Sequence, residues 1–333
     1  MLGKRLGIDL GTANSLVFLV GSGVVLNEPT VVAITVDEGK VVAVGNEAKD
    51  MLGRTPEHII ASRPLRDGVI ADYVVTEAML RYFLDRVCGS NRFWKPEVMI
   101  CVPAGVTQVE RRAVLEATLS AGAKVAYLIE EPLAAAIGAK IPIANPSGNM
   151  IVDIGGGSAE AAVISMGGVV AHRSVRVAGN RLDEAIQTYI KRKYNLLIGE
   201  RSSEDIKIQI GSATPEGGKT LEVRGRDTIS GLPRMITVTD TEISEALQTA
   251  LQQISTAVKG VLEDTPPELA GDIIDRGIVL SGGTSLLKNL DKYLTGVTGV
   301  PCHVAEDPLL CVVRGCGLAM ENIDLYKRSV MRR

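Results

Sequence analysis

Apolar residues along this chain occur in two patterns, short runs bounded by glycines and longer stretches in which they recur every three or four positions. Two short runs within residues 31–45 flank a polar turn and predict a β-hairpin. Residues 107–122 begin with a capping box, Thr107 and Glu110, and end at a glycine, which predicts a helix. Another capping box opens a second helix at Thr239. The apolar face of that helix is formed by Ile243, Leu247, Leu251, Ile254, Val258 and Leu262. Strands that alternate with helices predict an α/β fold.

One pattern occurs twice, at residues 6–20 and 151–165. Each copy is an apolar strand, an aspartate, an apolar residue, a glycine-rich turn with a hydroxyl residue, and a second apolar strand. The equivalent aspartates, Asp9 and Asp153, lie 144 positions apart, which indicates a duplicated domain rather than a short repeat.

The repeated pattern fits phosphate binding. Glycines let the backbone N–H groups approach an anion closely, and a hydroxyl in each turn, Thr12 or Ser158, adds a donor. Asp9 and Asp153 are suited to hold a hydrated Mg²⁺, which binds through few carboxylates together with waters and phosphates. Two facing hairpins would clamp a nucleotide from both sides. The alternative is a pair of ordinary hairpins with glycine turns.

Two further glycine-rich stretches lead to opposite conclusions. In residues 275–294 a strand ending at Leu280 is followed by a Gly282–Gly283 turn and a predicted helix, an arrangement that exposes backbone donors. Residues 211–220 nearly match a Walker A loop, but Ala213 replaces the first glycine and a strand-like segment follows. We therefore exclude a Walker A site.

The composition is that of a globular chain with more than one core. At 333 residues the chain exceeds the roughly 250–300 residues at which a single core stops growing. A net charge of −3 gives no indication of nucleic acid as a partner. No run reaches the ~18 apolar residues of a membrane-spanning helix. The scattered cysteines fit buried thiols in a reduced cytoplasm, with Cys311 and Cys316 in a helix core rather than at a metal.

Four motifs carry a resemblance to a known family. In chain order they are "GIDLGTANS", "IEEPLAAAIGA", "VDIGGGSAEAAVIS" and "GIVLSGGTSLLKNLD". They resemble the phosphate-1, connect-1, phosphate-2 and adenosine motifs of the actin superfamily, and the whole chain resembles its bacterial MreB/Mbl family. The resemblance implies an actin-like ATPase fold with two duplicated lobes, each a core subdomain with a small inserted one, around a nucleotide cleft. The implied subdomains are IA (1–32, 66–145 and 311–333), IB (33–65), IIA (146–178 and 239–310) and IIB (179–238).

The resemblance also implies a function. It is that of a cytoskeletal ATPase, slow and Mg²⁺-dependent, that polymerises with ATP and helps determine rod cell shape by organising cell-wall synthesis. The implied partners are further copies of the chain in paired protofilaments, the inner face of the cytoplasmic membrane and cell-wall elongation proteins. Two alternatives stay open at this point. "DIGGGSAE" also resembles exopolyphosphatase-like phosphohydrolases, and "IDLGT" is shared with chaperone-type ATPases.

Individual roles follow from the resemblance. The residues implied to contact the β- and γ-phosphates through their backbone are Thr12, Ala13 and Asn14 in one lobe and Gly155, Gly156, Gly157 and Ser158 in the other. Those implied to border the adenosine are Ser203, Glu204, Asp205, Ile206 and Lys207 on a helix, and Gly282, Gly283, Thr284 and Ser285 in the third glycine turn.

Catalysis by this family needs a group that orients water toward the γ-phosphate. Of the adjacent pair Glu130 and Glu131, the second matches the water-orienting position, although an acidic residue before proline is also typical of a helix start. Ser158, the second candidate, stands where the family usually has threonine, and Ala159 replaces a second threonine. We therefore expect looser geometry at the water and unchanged nucleotide binding.

The segment "GSNRFWKPE" at residues 89–97 contains the chain's single tryptophan. Phe93 and Trp94 lie between Arg92 and Lys95, and this arrangement allows two interpretations. The aromatic pair is either buried under a loop or exposed on a membrane-inserting loop whose basic residues meet anionic headgroups. The resemblance favours the membrane-inserting loop.

Overall fold

Two large β-sheets organise the molecule, and the structure, a computed structural model, describes residues 3–89, 94–327 and 329–332. The first part of the chain forms β1 (Arg5–Leu10), β2 (Asn14–Leu19), β3 (Gly23–Pro29), β4 (Val32–Thr35), β5 (Val41–Val44), α1 (Asn46–Met51), β6 (Ile59–Ser62), β7 (Leu65–Arg66), β8 (Val69–Ile70), α2 (Tyr73–Cys88), β9 (Glu97–Val102), α3 (Gln108–Ser120), β10 (Val125–Glu130) and α4 (Glu131–Gly138).

The second part begins at the repeated motif. Its elements are β11 (Asn149–Ile154), β12 (Ala159–Ser165), β13 (Gly168–Val175), α5 (Gly179–Tyr194), β14 (Leu196–Leu197), α6 (Glu200–Ile210), β15 (Thr220–Asp227), β16 (Pro233–Thr239), α7 (Asp240–Glu263), α8 (Pro267–Arg276), β17 (Ile278–Ser281), α9 (Leu290–Thr298) and β18 (Cys302–Val304). The chain then returns to the first sheet through α10 (Cys311–Glu321), α11 (Ile323–Tyr326) and β19 (Met331–Arg332).

The two large sheets have the same topology. The sheet of the first lobe, lobe I, has the strand order β19-β10-β9-β1-β2-β3, and the sheet of the second, lobe II, has the order β13-β12-β11-β17-β18. The five strands from β10 to β3 match those of lobe II, and β19 is an added edge strand. In each sheet three consecutive strands form an antiparallel meander, and two further strands run parallel to the first strand of that meander. These parallel strands are β9 and β10 in lobe I and β17 and β18 in lobe II. Equal topology in two parts of one chain is what duplication of a domain would produce, as the repeated motif predicted.

Three apolar cores hold these layers together. Helices α2 and α3 cover one face of the lobe I sheet, and α5, α7 and α9 cover one face of the lobe II sheet. A third core lies between the lobes, where α4 and α10 pack against strands of both sheets. These two helices cross so closely that a side chain on Gly138 or Gly315 would collide with the backbone of the other helix. The two sheets therefore face each other across a tightly packed helix pair.

Each lobe also carries a small three-stranded sheet. In lobe I the order is β5-β4-β6, with α1 beside it, and in lobe II it is β14-β15-β16, with α5 and α6 beside it. Both small sheets are formed by chain segments inserted into the lobes.

Most of the local predictions are confirmed. The hairpin within residues 31–45 is β4–β5, and both capping boxes are formed, at Thr107 and at Thr239. Cys311 and Cys316 are fully buried in α10. One prediction is wrong in detail. The Gly282–Gly283 turn leads into a short 3-10 helix, Gly283–Leu286, and the α-helix begins only at Leu290. Asn289, in the left-handed conformation, interrupts the helical geometry between the two.

Candidate functional site

The two repeated glycine turns touch each other in the cleft between the lobes. A Cβ atom on Gly156 would lie 2.6 Å from the Cβ of Ala13, and one on Gly157 would lie 2.5 Å from Oγ1 of Thr12. Real side chains do not approach so closely, so glycine is required at both positions. The same Thr12 hydroxyl accepts a hydrogen bond of 3.0 Å from the N–H of Gly68. The predicted phosphate turns thus face each other across one small space.

Two aspartates stand directly behind these turns. Asp9 and Asp153 are the last-but-one residues of β1 and β11. Loss of hydration, and then the charge of Asp153, raises the pKa of Asp9 to about 7. Loss of hydration raises the pKa of Asp153 to about 6, although the Ser281 hydroxyl donates a hydrogen bond of 2.6 Å that lowers it. Both shifts indicate negative charge that the protein alone does not neutralise.

Two glutamates complete a cluster of four carboxylates. Glu160 on β12 is 1% exposed, and loss of hydration raises its pKa to about 7. Glu131, half-buried at the first turn of α4, has its pKa raised well above the ordinary value by loss of hydration, then by the charges of Glu160, Asp9 and Asp153. Within residues 3–89, 94–327 and 329–332, no lysine, arginine or histidine forms an ion pair with any of these four carboxylates.

The adjacent Glu130 is different. Arg111 on α3 forms an ion pair of 2.7 Å with it, so its charge is compensated within lobe I. Glu130 still raises the pKa of Glu160, but of this pair only Glu131 lacks a basic partner among the described residues. The structure therefore separates two neighbouring acids that the sequence pattern alone leaves equivalent.

The donor set of the cluster fits a hydrated divalent cation. Among the described residues no three metal-ligating side chains converge closely enough to bind an ion directly. Uncompensated carboxylates at the ends of two strands instead match the preference of Mg²⁺, which keeps several of its waters and takes one or two protein oxygens. Asp9 and Asp153 each precede one of the two facing turns, as the predicted phosphate and cation sites require.

The predicted adenosine side of the cleft would be formed by α6 and the third glycine turn. Thr284 donates a hydrogen bond of 2.7 Å to the carbonyl of Gly155, which joins that turn to the phosphate turn. Lys207 reaches the same place. Its Nζ lies 2.8 Å from Asp183 and 3.1 Å from the carbonyl of Gly179.

The five predicted positions on α6 do not all face the cleft. Ser203 is fully buried and donates its hydroxyl to the carbonyl of Glu200, and Ile206 is 2% exposed in the lobe II core. Asp205 lies on the opposite face, beside a groove against β15. Of the five, Glu204 and Lys207 are the ones whose side chains reach toward the cleft. In the third turn, Ser285 is buried and donates to the carbonyl of Gly282.

Ion pairs close the mouth of the cleft. Lys49 of α1 lies 3.2 Å from Glu204, Asp50 of α1 lies 3.2 Å from Arg201, and Arg63 after β6 lies 3.9 Å from Glu200. These pairs join the small sheet of lobe I to α6 of lobe II. The sequence analysis did not predict the lobe I residues of these ion pairs. No feature of the sequence around a surface lysine such as Lys49 indicates that its partner lies 155 positions away.

Glu160 was also missed as a site residue, although a signal exists. It is the single charged residue in β12, whose other members are alanines, valine, isoleucine and serine. A charge within an otherwise apolar buried strand usually has a specific partner or a function.

The aromatic pair is described only in part. Trp94 is 73% exposed and Lys95 beside it is also exposed, so burial of Trp94 under a loop is wrong. Phe93 and Arg92 lie outside the described residues. None of the helices in the described part of the chain combines the length and apolar character that crossing a bilayer requires.

Two duplicated sheets, an interposed helix pair and facing glycine hairpins define an actin-like fold, and comparison with solved structures confirms this class. The chain is similar to MreB 5 of Spiroplasma citri bound to AMPPNP, with a TM-score of 0.93 and 38% identity over 98% of this chain and 99% of that one. The double helical filament protein MamK, at 22% identity over 95% and 99% of the two chains, shares the fold with a TM-score of 0.81.

The family follows from the sequence comparisons. The family model described as MreB/Mbl protein matches residues 3–328. The chain is 52% identical to cell shape-determining protein Mbl of Bacillus cereus over 333 residues, covering 100% of both. It is 54% identical to cell shape-determining protein MreB of Escherichia coli, covering 98% of this chain and 96% of the relative. The chain belongs to the MreB/Mbl family, which confirms the predicted cytoskeletal, cell shape-determining class of actin-like ATPase.

Proposed function

We propose that this chain is a slow Mg²⁺-dependent ATPase whose hydrolysis is coupled to polymerisation into membrane-associated filaments that organise cell-wall synthesis in a rod-shaped cell. The observation that carries the ATPase is the meeting of two glycine turns over four uncompensated carboxylates. Similarity to MreB 5 of Spiroplasma citri, of which AMPPNP-bound and ADP-bound structures exist, supports nucleotide as the ligand.

The phosphates of ATP would lie between the turns. Backbone N–H groups of Thr12, Ala13 and Asn14 would bind them from lobe I, and those of Gly155 to Ser158 would bind them from lobe II. Asp9 and Asp153 would hold the hydrated Mg²⁺, which when bound neutralises charge on the phosphates. Each aspartate is already oriented, Asp153 by Ser281 and Asp9 by the thiol of Cys101 at 3.5 Å.

The hydrolytic step needs a water aligned with the terminal phosphate. Glu131 at the start of α4 would orient this water, because its carboxylate is uncompensated and lies beside both aspartates. Ser158 would contribute its hydroxyl at the turn. The adenosine would lie between the third glycine turn and α6, where the Lys207 and Glu204 side chains face the cleft.

The resemblance supports the finer assignments of domains and partners. We propose the four subdomains with the limits expected from the sequence. The two small sheets fall within the proposed IB and IIB, apart from Val32 and Thr239, each one residue outside. Paired protofilaments and cell-wall elongation proteins are proposed as partners on the same basis.

Sedimentation with ATP, assayed beside polyphosphate hydrolysis, tests the proposed function against its main alternative. We expect ATP and Mg²⁺ together to move the protein into the pellet, with slow release of phosphate, and long-chain polyphosphate to remain intact. Omission of Mg²⁺ is the matched control. Polyphosphate cleavage without ATP-dependent sedimentation would instead assign the chain to the phosphohydrolases.

Membrane attachment is proposed through Phe93 and Trp94. The exposed indole of Trp94 beside exposed Lys95 supports it. Burial of each ring contributes roughly 1.5–3 kcal/mol, and each adjacent basic residue contributes about 1 kcal/mol near an anionic surface. A total of roughly 5–8 kcal/mol gives weak binding of a monomer, whereas a filament that carries many such loops would remain attached.

Flotation with anionic liposomes in the presence of ATP tests the loop. We expect Phe93→Ala/Trp94→Ala protein to sediment as filaments but not to float. The control is Met166→Ala, which removes a side chain of similar exposure, 74%, on the β12–β13 turn and should float normally. Normal flotation of the double variant would exclude the loop as the anchor.

A further inference from the structure

Glu160 occupies a special place in the carboxylate cluster. In the β11–β12 ladder it lies directly opposite Asp153, and opposite residues of an antiparallel pair project from the same face. Ser158, in the turn that leads into β12, precedes it by two positions. The carboxylate of Glu160 therefore belongs to the same end of the lobe II sheet as the phosphate turn and Asp153.

The two oxygens of this carboxylate have different surroundings. Oε2 accepts a hydrogen bond of 2.9 Å from the backbone N–H of Ala104, which belongs to the loop after β9 in lobe I. Oε1 is fully buried and accepts no hydrogen bond from any residue that the structure describes. Leaving a buried polar atom without a donor costs about 1–3 kcal/mol. Because the described residues donate no hydrogen bond to Oε1, this oxygen is suited to accept a hydrogen bond from a bound molecule.

The groups around Glu160 identify the kind of donor. Glu130, Glu131 and Asp153 are carboxylates that interact with it electrostatically, and carboxylates in their charged form donate nothing. The hydroxyl of Ser174, opposite Glu160 in the β12–β13 ladder, also acts on this carboxylate and lowers its pKa, but it makes no hydrogen bond of ordinary length to Oε1. Glu160 is the charge with the largest effect on Glu131. Two acceptors, one from each lobe, thus lie close together beside the phosphate turns, an arrangement that suits a single small molecule with two O–H donors.

We propose that Glu160 accepts a hydrogen bond from the attacking water through Oε1 and, together with Glu131, orients that water toward the terminal phosphate of ATP. This inference rests on the proposed ATPase function. The water oxygen forms a bond to the terminal phosphorus while the bond from that phosphorus to the bridging oxygen breaks, and its electron pair leaves with ADP. The proton lost by the water ends on the released phosphate or its solvent.

The hydrogen bond to Ala104 adds a conformational consequence. Because Oε2 is held by lobe I while the rest of Glu160 belongs to lobe II, the orientation of Oε1 depends on how the two lobes are placed. The water is then correctly oriented only in the lobe arrangement that preserves this bond.

Glu160→Gln is the decisive variant. Its amide oxygen still accepts from the N–H of Ala104, whereas its NH₂ group replaces Oε1 and can only donate. We expect kcat to fall at least tenfold, with the Kd for ATP within threefold of wild type and an unchanged unfolding midpoint. Glu222→Gln, an equivalent change at an exposed position of β15, is the matched control and should leave kcat unchanged.

Two further variants separate this role from a structural one. Glu160→Ala loses both the contact with Ala104 and the acceptor, so a fall in kcat limited to Glu160→Ala, with Glu160→Gln normal, would overturn the proposal. Glu160→Asp retracts the carboxylate by one methylene group, and wild-type kcat in that variant would also overturn it. Wild-type protein that binds ATP without hydrolysing it would instead contradict the proposed function itself, and the wild-type assay detects that case separately.

Discussion

The glycine hairpins of the two lobes have the same backbone and different surroundings. In lobe I, the aspartate of β1 is held by the thiol of Cys101, a weak donor, at 3.5 Å, and its pKa is raised to about 7. In lobe II, the aspartate of β11 is held by the hydroxyl of Ser281 at 2.6 Å, and its pKa is raised only to about 6. Equivalent hairpins therefore hold aspartates of unequal acidity, because the charge of Asp153 raises the pKa of Asp9 and the parallel strand beside each hairpin supplies a different donor.

This comparison predicts that the two aspartates contribute unequally to the proposed cation binding. Asp153 is fully buried, oriented by a hydroxyl and more readily ionised, whereas Asp9 is half-buried and competes with a proton near neutral pH. Lobe II would then provide the firmer part of the site. The following predictions test that difference, beginning with the largest expected effect.

Removal of the two aspartates should have unequal consequences. We expect Asp153→Ala to abolish measurable Mg-ATP binding, because it deletes the oriented carboxylate, and Asp9→Ala to weaken binding about tenfold. Calorimetric titration of both variants with Mg-ATP measures this. Affinity of Asp153→Ala within twofold of wild type would refute its role, and a stronger effect of Asp9→Ala would reverse the comparison.

Glu131 provides a contrast between binding and chemistry within lobe I. For Glu131→Ala we expect retained ATP binding and release of γ-phosphate slowed at least tenfold, equivalent to ~1.4 kcal/mol of barrier. Single-turnover phosphate release measures the chemical step. Glu130→Ala is a suitable neighbour control, because the Glu130 charge is already compensated by Arg111. Hydrolysis at the normal rate in Glu131→Ala would remove Glu131 from the mechanism.

The unequal acidity should appear as pH dependence. Because the folded pKa of Asp9, about 7, and of Asp153, about 6, lie above the ordinary 3.8, a cation must displace protons at lower pH. We expect Mg-ATP affinity to rise about tenfold from pH 6 to pH 7.5. The Asp9→Asn variant, measured under the same conditions, should lose most of this rise in affinity. Protonation of ATP itself affects the wild-type protein and the variant equally. An identical pH profile would contradict the assignment.

The same shifts make a prediction for stability without nucleotide. A carboxyl group whose folded pKa is raised stabilises the folded state while protonated and loses this contribution as the pH rises from its unfolded value of 3.8 through the folded value. Asp9→Asn, which imitates the protonated form, should therefore raise the unfolding temperature of Mg²⁺-free protein at pH 8 and change it little at pH 4. A destabilised variant at pH 8 would argue against uncompensated charge at Asp9.

The smallest effects are expected at the two turn hydroxyls. The Thr12 hydroxyl is already used by the N–H of Gly68, whereas Ser158 has no methyl group to restrict its rotamer. We expect Ser158→Thr to raise hydrolysis about two- to threefold with ATP affinity unchanged, and Thr12→Ser to change either value by less than twofold. Steady-state kinetics of both variants, made in parallel, decides whether the lobe II turn is the looser one.

Much of the fold and part of the site could be predicted from local pattern. Both hairpins and both capping boxes follow from hydrogen bonds and side-chain periods within a few residues, so the residues that encode them are adjacent. The duplicated aspartates and glycines were recognisable for the same reason. The helix after Gly283 was wrong because the left-handed Asn289 interrupts an otherwise continuous apolar period.

The amino-acid sequence by itself determined the two nucleotide-type hairpins, their aspartates and the α/β order of the chain. Only the tertiary structure decided that Glu204 pairs with Lys49, that Ser203 and Ile206 point into the core, that Asp9 meets Cys101 and that Glu160 meets Ala104. These contacts join residues up to 155 positions apart, and they depend on the distance and rotation between two packed lobes. The local spacing of apolar residues carries no information about this distance and rotation, because both arise from the packing of α4 and α10 between the sheets.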